Sequence, residues 1–262
     1  MTRAGTKTDL RLAANQVTFA NQQISTLILT HTDGGTLLNG MLLNQQGTLT
    51  KFVNTAARLR LVADASNHSQ VSATVNGITF ASDLISPVVG TYKNIPSGAL
   101  TMNLSIDGSS VAPTGPLTAA AGGDYTLVVA GTSGDSVVTL LADDNTPSIS
   151  TDLPVKMRLV NFLNGLAEPA SLSAAGAPVG DSVTFGQATT YEALATADAS
   201  ADIVVTAASL PIFSLDSQSL LNGAVYTVFL IGDSTQVVGD KGKMVQDRPA
   251  IPVQPPASSA SN

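Results

Sequence analysis

Three landmarks recur in the same order about 100 residues apart, so the chain must be built from stacked copies of one unit. Arg60-Leu61-Val62 returns as Arg158-Leu159-Val160. Thr91-Tyr92 returns as Thr190-Tyr191, and the strand-like Tyr125–Val129 (YTLVV) returns as Tyr226–Leu230 (YTVFL). Moving back by one period, Thr26, Leu27, Ile28, Leu29 and Gly34 fall on Thr126, Leu127, Val128, Val129 and Gly134. One complete unit therefore runs over 57–147 and another over 155–245, while 7–50 resembles only the C-terminal half of a unit. The domain division that follows is 1–53 (partial repeat), 54–150, 151–246, and a Pro/Ser/Ala-rich tail at 247–262. The short links 54–57 and 151–154 place neighbouring units close together.

Within a unit the apolar residues alternate with period two, as in half-buried strands. Arg58–Val62 and Leu100–Ile106 show this alternation. Asn76-Gly77 suits a type I′ hairpin, whose two central residues need positive φ, and Leu100–Ile106 meets a turn at Asp107-Gly108. Asp124–Val129 and Ser136–Leu141 form a hairpin across the glycines at 131–134, and Asp202–Thr206 and Ala224–Ile231 hold equivalent places in the second unit. About seven short strands per unit predict an all-β fold of tandem immunoglobulin-like β-sandwiches with an incomplete N-terminal unit. The expected inward residues are Leu59, Leu61, Val75, Leu104, Leu127, Val129, Leu159, Val205, Val228 and Leu230. Tyr125 and Tyr226 read as structural, each packing its ring and satisfying its hydroxyl on loop backbone. LVNFLNGLAEP is the one stretch with a hint of a helical turn, ended by Pro169.

Composition narrows the function classes. Aromatics are 4% with no Trp, so the core is aliphatic; charged residues are only 12%, a profile commoner in exported β-rich proteins than in cytosolic enzymes. With a net charge of -7 and 12 scattered Lys and Arg, nucleic acid is not an expected partner. The absence of Cys removes disulfides, thiolate nucleophiles and cysteine metal sites. No run of 18 apolar residues predicts a transmembrane helix, and the N-terminal MTRAGTKTDLRL has no signal-peptide core. The expected location is extracellular, periplasmic or at the cell surface, with any signal peptide removed from this chain.

Candidate chemistry is sparse. His31 and His68 lie in separate polar turns and cannot make a transition-metal site alone. Asp64, Ser66, His68 and Ser69 contain the residue types of a hydrolase triad, but four groups in one loop rarely reach that geometry, and no G-x-S-x-G elbow accompanies them. Asn67-His68-Ser69 is formally a glycosylation sequon. Asp143, Asp144 and Asn145 form the densest oxygen-ligand group and are the only Ca²⁺ candidates; the twelve-residue calcium loop is absent, and a turn at a domain junction explains them as well. GDKGK at Gly239–Lys243 lacks the phosphate-loop pattern. No catalytic residue and no cofactor is expected, and the chain reads as a non-enzyme.

The RLV at a unit's start (Arg60–Val62), the VNG hairpin (Val75–Gly77), TYKNIPSG (Thr91–Gly98) and the late Tyr125–Gly131 strand together resemble the DUF4397 family. The second unit repeats the pattern at Arg158–Val160, Thr190-Tyr191 and Tyr226–Gly232, departing where SAAGAPVG replaces the VNG hairpin and ATAD replaces the Pro-x-Gly turn. The resemblance covers about 57–245, plus the half unit before it, and implies a bacterial exported or surface-associated β-sandwich protein, without an established enzymatic role.

The missing half bears most directly on function. Strands from 8 to 43 standing alone would leave apolar surface and open sheet edges. They could pack on the neighbouring unit, be completed by another chain, or reflect a cut within a repeat. The leading expectation is a structural or adhesive protein whose partners are copies of itself or another surface protein, assembling by strand complementation. The alternative is a ligand- or glycan-binding module using sandwich-end loops.

Overall fold

The computed structural model describes residues 1–45, 47–150, 152–195, 200–235, 237 and 241–249. The N-terminal segment holds β1 (Thr2–Arg3), β2 (Thr6–Leu10), β3 (Ser25–His31), β4 (Leu38–Asn44) and β5 (Leu49–Phe52). The first unit follows with β6 (Ala56–Ala65), β7 (Gln70–Val75), β8 (Ile78–Ile85), β9 (Val88–Val89), β10 (Lys93–Pro96), β11 (Gly98–Ala99), β12 (Met102–Ile106), β13 (Ser109–Val111), β14 (Thr118–Ala119), β15 (Asp124–Gly131) and β16 (Ser136–Asp143). The second holds β17 (Val155–Asn161), β18 (Ala170–Ala174), β19 (Ala177–Val183), β20 (Gln187–Ala188), β21 (Glu192–Leu194), β22 (Ser200–Ala207), β23 (Leu210–Ser219), β24 (Val225–Leu230) and β25 (Gly242–Arg248). The chain is all-β, with antiparallel and parallel pairings mixed in open sheets.

The two units have the same topology. In the first, one sheet runs β10-β6-β15-β16 and the other β13-β12-β7-β8; in the second, β20 and β21 flank β17-β24-β25, and the other sheet runs β19-β18-β22-β23. In both, the first and penultimate long strands pair in parallel, β6 with β15 and β17 with β24. Each unit closes one aliphatic core between its own two sheets. Leu59, Leu61, Val75, Leu104, Leu127 and Val129 all lie in the first core. Leu159, Val205, Val228 and Leu230 lie in the second. Every inward residue expected from period-two alternation is therefore inside.

The central strands are buried on their other face as well. β6, β15, β17 and β24 are buried along almost their whole length, because the β6–β15 sheet packs against the β17–β24 sheet. Val62, Val128, Ala130, Val160, Phe162, Phe229 and Ile231 form this third apolar cluster. Arg58–Val62 is thus not half-buried as its alternation suggests: the Arg face is sealed by the second unit. LVNFLNGLAEP shows no helical turn; Phe162 faces the seam and Leu163 the second core. A strand end buried on both faces has apolar neighbours at i and i+1, which imitates helical spacing. Among the described residues, the one helical turn is the 3₁₀ segment Ser66–His68.

The hairpins follow their turn chemistry. Asn76 and Gly77 have φ of 49° and 77°, and Asp107 and Gly108 have 49° and 76°. In the second unit the hairpin that SAAGAPVG seemed to replace is kept, with Ala175 and Gly176 at φ 50° and 79°. Ala208 and Ser209, joining β22 to β23, hold φ 47° and 65° with no glycine. A β-carbon in the left-handed region costs about 1 kcal/mol. Replacing this pair with Asn-Gly (A208N/S209G) is therefore expected to stabilise the chain by roughly 1 kcal/mol, read as a higher urea midpoint at unchanged slope.

The N-terminal sheet, β3-β4-β5, docks on the first unit by one end only. Leu12 and Leu37 are buried there, Thr32 Oγ1 donates to Gly122 O at 2.8 Å, and Asn145 N donates to Gly34 O at 2.7 Å. The approach is tight: a β-carbon on Gly35 would stand 1.8 Å from Gly122 O. Away from this dock β3 is exposed on both faces, whereas Gly40 and Leu42 of the central strand β4 are buried. At the C-terminus, β25 continues through Asp247 and Arg248 into the expected tail; 250–262 lie outside the described residues.

Candidate functional site

The polar residues that the repeat carries in register meet at the seam between the units. In β6, alternation sends Leu59 and Leu61 into the core and Arg58, Arg60 and Val62 to the opposite face. In β17 the same alternation turns Lys156, Arg158 and Val160 toward the first unit. Arg60 Nε donates to Thr126 of its own unit at 2.7 Å, and Arg158 Nε donates to Thr227 of its own at 3.2 Å. Their terminal nitrogens then cross the seam, Arg60 to Asp247 and Arg158 to Asp143.

Each carboxylate is held from its own side too. Asp143 accepts from Thr126 Oγ1 at 2.7 Å and from the Tyr92 hydroxyl at 2.6 Å. Asp247 accepts from Thr227 Oγ1 and from the Tyr191 hydroxyl at 3.2 Å. The guanidinium of Arg60 lies 4.7 Å from the Tyr92 ring centroid, and that of Arg158 lies 4.5 Å from Tyr191. Arg, Thr, Tyr and Asp from one unit thus mirror the same four from the other, with ion pairs crossed. This is the reciprocity of an isologous dimer interface, made here within one chain.

The flanks are less symmetric. Arg58 binds Asp124 through two nitrogens at 2.8 and 2.5 Å, whereas its counterpart Lys156 reaches Asp144 at 2.5 Å. Asn145 Nδ2 donates to Asp124 at 2.8 Å and to the Tyr92 hydroxyl at 3.1 Å. The three calcium candidates therefore diverge: Asp143 to Arg158, Asp144 to Lys156, and Asn145 to Asp124 and Tyr92. Among the described residues, no group of three or more His, Cys, Asp or Glu is arranged to hold a metal ion.

The electrostatics fix these charges. Burial alone would raise the pKa of Asp143, but Arg158 and Arg60 outweigh it and, with the hydrogen bonds from Tyr92 and Thr126, hold it below the usual carboxylate range. Burial pushes the Tyr92 hydroxyl well above its ordinary value, with Asp143 adding to the effect. Burial does the same to Tyr191 against the pull of Arg158, and Asp247 and Asp143 reinforce it. Asp143 therefore stays ionised between the two guanidinium groups, with both tyrosines protonated as donors. Nearly all of the cluster's donors and acceptors are spent on one another, Arg60 Nη2 and Asn145 Oδ1 being the exceptions, so it fastens two sandwiches in one relative orientation.

No family model matches this chain, and neither does any curated protein.

A different polar group marks the other end of the seam. Asp64 is buried; its Oδ1 accepts from Gly232 N at 2.7 Å and its Oδ2 has no partner. Asn164 of the second unit also donates to the Asp64 carbonyl at 3.4 Å. Burial raises the Asp64 pKa to about 8 against the lowering effect of the Gly232 hydrogen bond. The carboxyl points to the second unit, while His68 Nδ1 lies 3.0 Å from Ser86 O, so the triad residue types do not converge. His31, on the N-terminal sheet, has its Nδ1 3.2 Å from the carbonyl oxygen of its neighbour Thr32, far in sequence from His68. Part of GDKGK lies outside the described residues; Gly242 and Lys243 begin β25.

Two structural tyrosines do what their positions predict. Tyr125 OH accepts from Ala120 N at 2.9 Å, and Tyr226 OH accepts from Leu221 N at 3.0 Å. Sequence reasoning missed the seam network, although its signal was present. Arg60, Tyr92 and Thr126 coincide with Arg158, Tyr191 and Thr227 when the repeats are aligned, and polar residues in register on the faces away from a core are candidates for a shared contact.

Proposed function

We propose that this chain is a non-enzymatic structural or adhesive protein of the cell exterior, made of tandem immunoglobulin-like sandwiches and assembling through the edge of its N-terminal sheet. The motif resemblance to DUF4397 and the low-charge composition support the exported location. The observation that carries the assembly reading is β3. This strand pairs only with β4, leaving its outer edge without a partner among the described residues. Its equivalents β15 and β24 each have a parallel neighbour on that side.

β3 is also apolar on both faces. Leu27, Ile28 and Leu29 are 44%, 39% and 41% exposed, and Ser25–Thr30 carries neither charge nor proline. Unprotected edges of this kind pair with other chains. The strand supplied would take the place that β6 takes beside β15. Light scattering across concentration is expected to show the full-length chain assembling. Charging the exposed edge (L27K/L29K) is expected to leave monomers with an unchanged melting transition. Assembly that survives the two lysines would remove β3 from the mechanism, and a monomer at all concentrations would remove self-assembly.

A further inference from the structure

We propose that the cleft between the N-terminal hairpin, the first unit and the end of β25 binds a small ligand carrying two or more anionic groups. The cleft consists of two adjoining cavities of about 630 and 390 Å³ that share Arg3, Arg11 and Pro249. Between them they are lined by Arg3, Arg11, Arg58, Arg60 and Arg248; Lys93 also borders the larger cavity, but its ammonium turns to the other face of β10 and donates to Thr79 O at 2.7 Å. Five of the twelve Lys and Arg of a chain with net charge -7 therefore stand around one cleft. Such a concentration, against the sign of the whole molecule, is not the scatter that solubility alone requires.

The positive charge is only partly neutralised. Asp9 and Asp247 are the two carboxylates lining the cavities, and both are already engaged, Asp9 by Arg11 and Asp247 by Arg60. Asp124 is taken by Arg58. Arg3 and Arg248 form no ion pair among the described residues, and Arg248 donates only to Asn145 O at 3.2 Å. The mutual repulsion is visible in the arginines themselves. Burial lowers the pKa of Arg11 and Arg58 lowers it further; burial likewise lowers that of Arg248, followed by Arg11 and Arg58. An anion seated here would relieve that repulsion, and threonine hydroxyls at Thr6, Thr8 and Thr36 on the same walls supply neutral donors.

The size and charge select the ligand. The larger cavity is in the range that encloses a small molecule. A long nucleic acid is disfavoured by the overall negative charge, and the Tyr92 ring that lines the larger cavity is already covered by the Arg58 and Arg60 guanidinium groups rather than free to stack a base. Planar guanidinium groups bind carboxylate and phosphate equally well by paired hydrogen bonds. Both sources of the anion share that chemistry.

Calorimetry on the full chain at low salt separates them, with pyrophosphate as the phosphate probe and citrate and digalacturonate as carboxylate probes. Saturable binding of at least one probe is expected, weakening about tenfold or more from 20 to about 200 mM salt. Binding by pyrophosphate alone assigns a phosphate ligand, and binding by citrate or digalacturonate alone assigns a carboxylate. R3Q, at an exposed position that leaves the fold intact, is expected to weaken binding about fivefold, and R3Q/R248Q further. No heat from any probe at about 10 mM, or equal affinity in wild type and R3Q/R248Q, would overturn the proposal.

Discussion

Asp143→Ala is expected to destabilise the chain by about 3–5 kcal/mol in urea denaturation, the largest effect of any single substitution in the seam. The magnitude comes from what is left behind rather than from what is removed. Asp143 is the counter-charge for Arg158 across the seam and lies 3.7 Å from Arg60 Nη2, a nitrogen that makes no hydrogen bond. Without it, Arg158 is buried without its carboxylate, and Tyr92 and Thr126 lose their acceptor. By the repeat's symmetry, Asp247→Ala is expected to cost a similar amount through Arg60 and Tyr191. Replacing both crossed pairs together by Met and Leu of similar volume is expected to recover most of the loss, because desolvation of four charges is then avoided as well. A quadruple variant as unstable as Asp143→Ala would show that the pairs contribute beyond their own compensation.

Raising the pH from about 4 to 9 is expected to weaken the fold, and Asp64→Asn to abolish most of that weakening. The carboxyl titrates at about 8 in the folded chain and near 3.9 when unfolded. Between those values the folded state holds one more proton than the unfolded state, so stability falls as pH rises through the interval. The contribution of Asp64 is fully present below about pH 4 and lost above about pH 8. A gap of about four units corresponds to an order of 5 kcal/mol, of which relaxation around the single unpartnered oxygen returns a part. Asp143 has the opposite sign: its depressed pKa makes a contribution that is present above about 4 and lost as pH falls through the folded value. Stability is therefore expected to peak in mild acid, between the two. Asp64→Asn should be the more stable protein at pH 9 by a few kcal/mol and nearly equal to wild type at about pH 4. A wild-type stability that stays flat from pH 5 to 9 would show that Asp64 is ionised or solvated in the folded chain.

These two residues explain why function is so much harder to read here than fold. Asp143 stands in an acidic triplet that suggests a metal site, and Asp64 in a loop that suggests a triad. Their neighbours along the chain are not their partners. Asp143 meets Arg158 through the seam, and Asp64 meets Gly232, residues brought beside them only when one sandwich closes on the other.

The all-β class, the repeat, the hairpins at Asn76-Gly77 and Asp107-Gly108, and the ten inward aliphatic residues were legible in the amino-acid order. Each depends on interactions within a few residues: period-two alternation sets a strand's core face, and turn residues set the sign of φ. Tyr125 and Tyr226 belong with them, since each hydroxyl is satisfied by backbone five residues back. Local rules reached their limit where a strand had two buried faces. For β6, alternation separates Leu from Arg but cannot say whether the Arg side meets water or another sheet. Only the docking of the β6–β15 sheet on the β17–β24 sheet decided that, turning repeated Arg, Thr, Tyr and Asp into a buried crossed network. The same closure gathered Arg3, Arg11, Arg58 and Arg248, spread over most of the chain, around one cleft, because charge acts through space and not along the sequence.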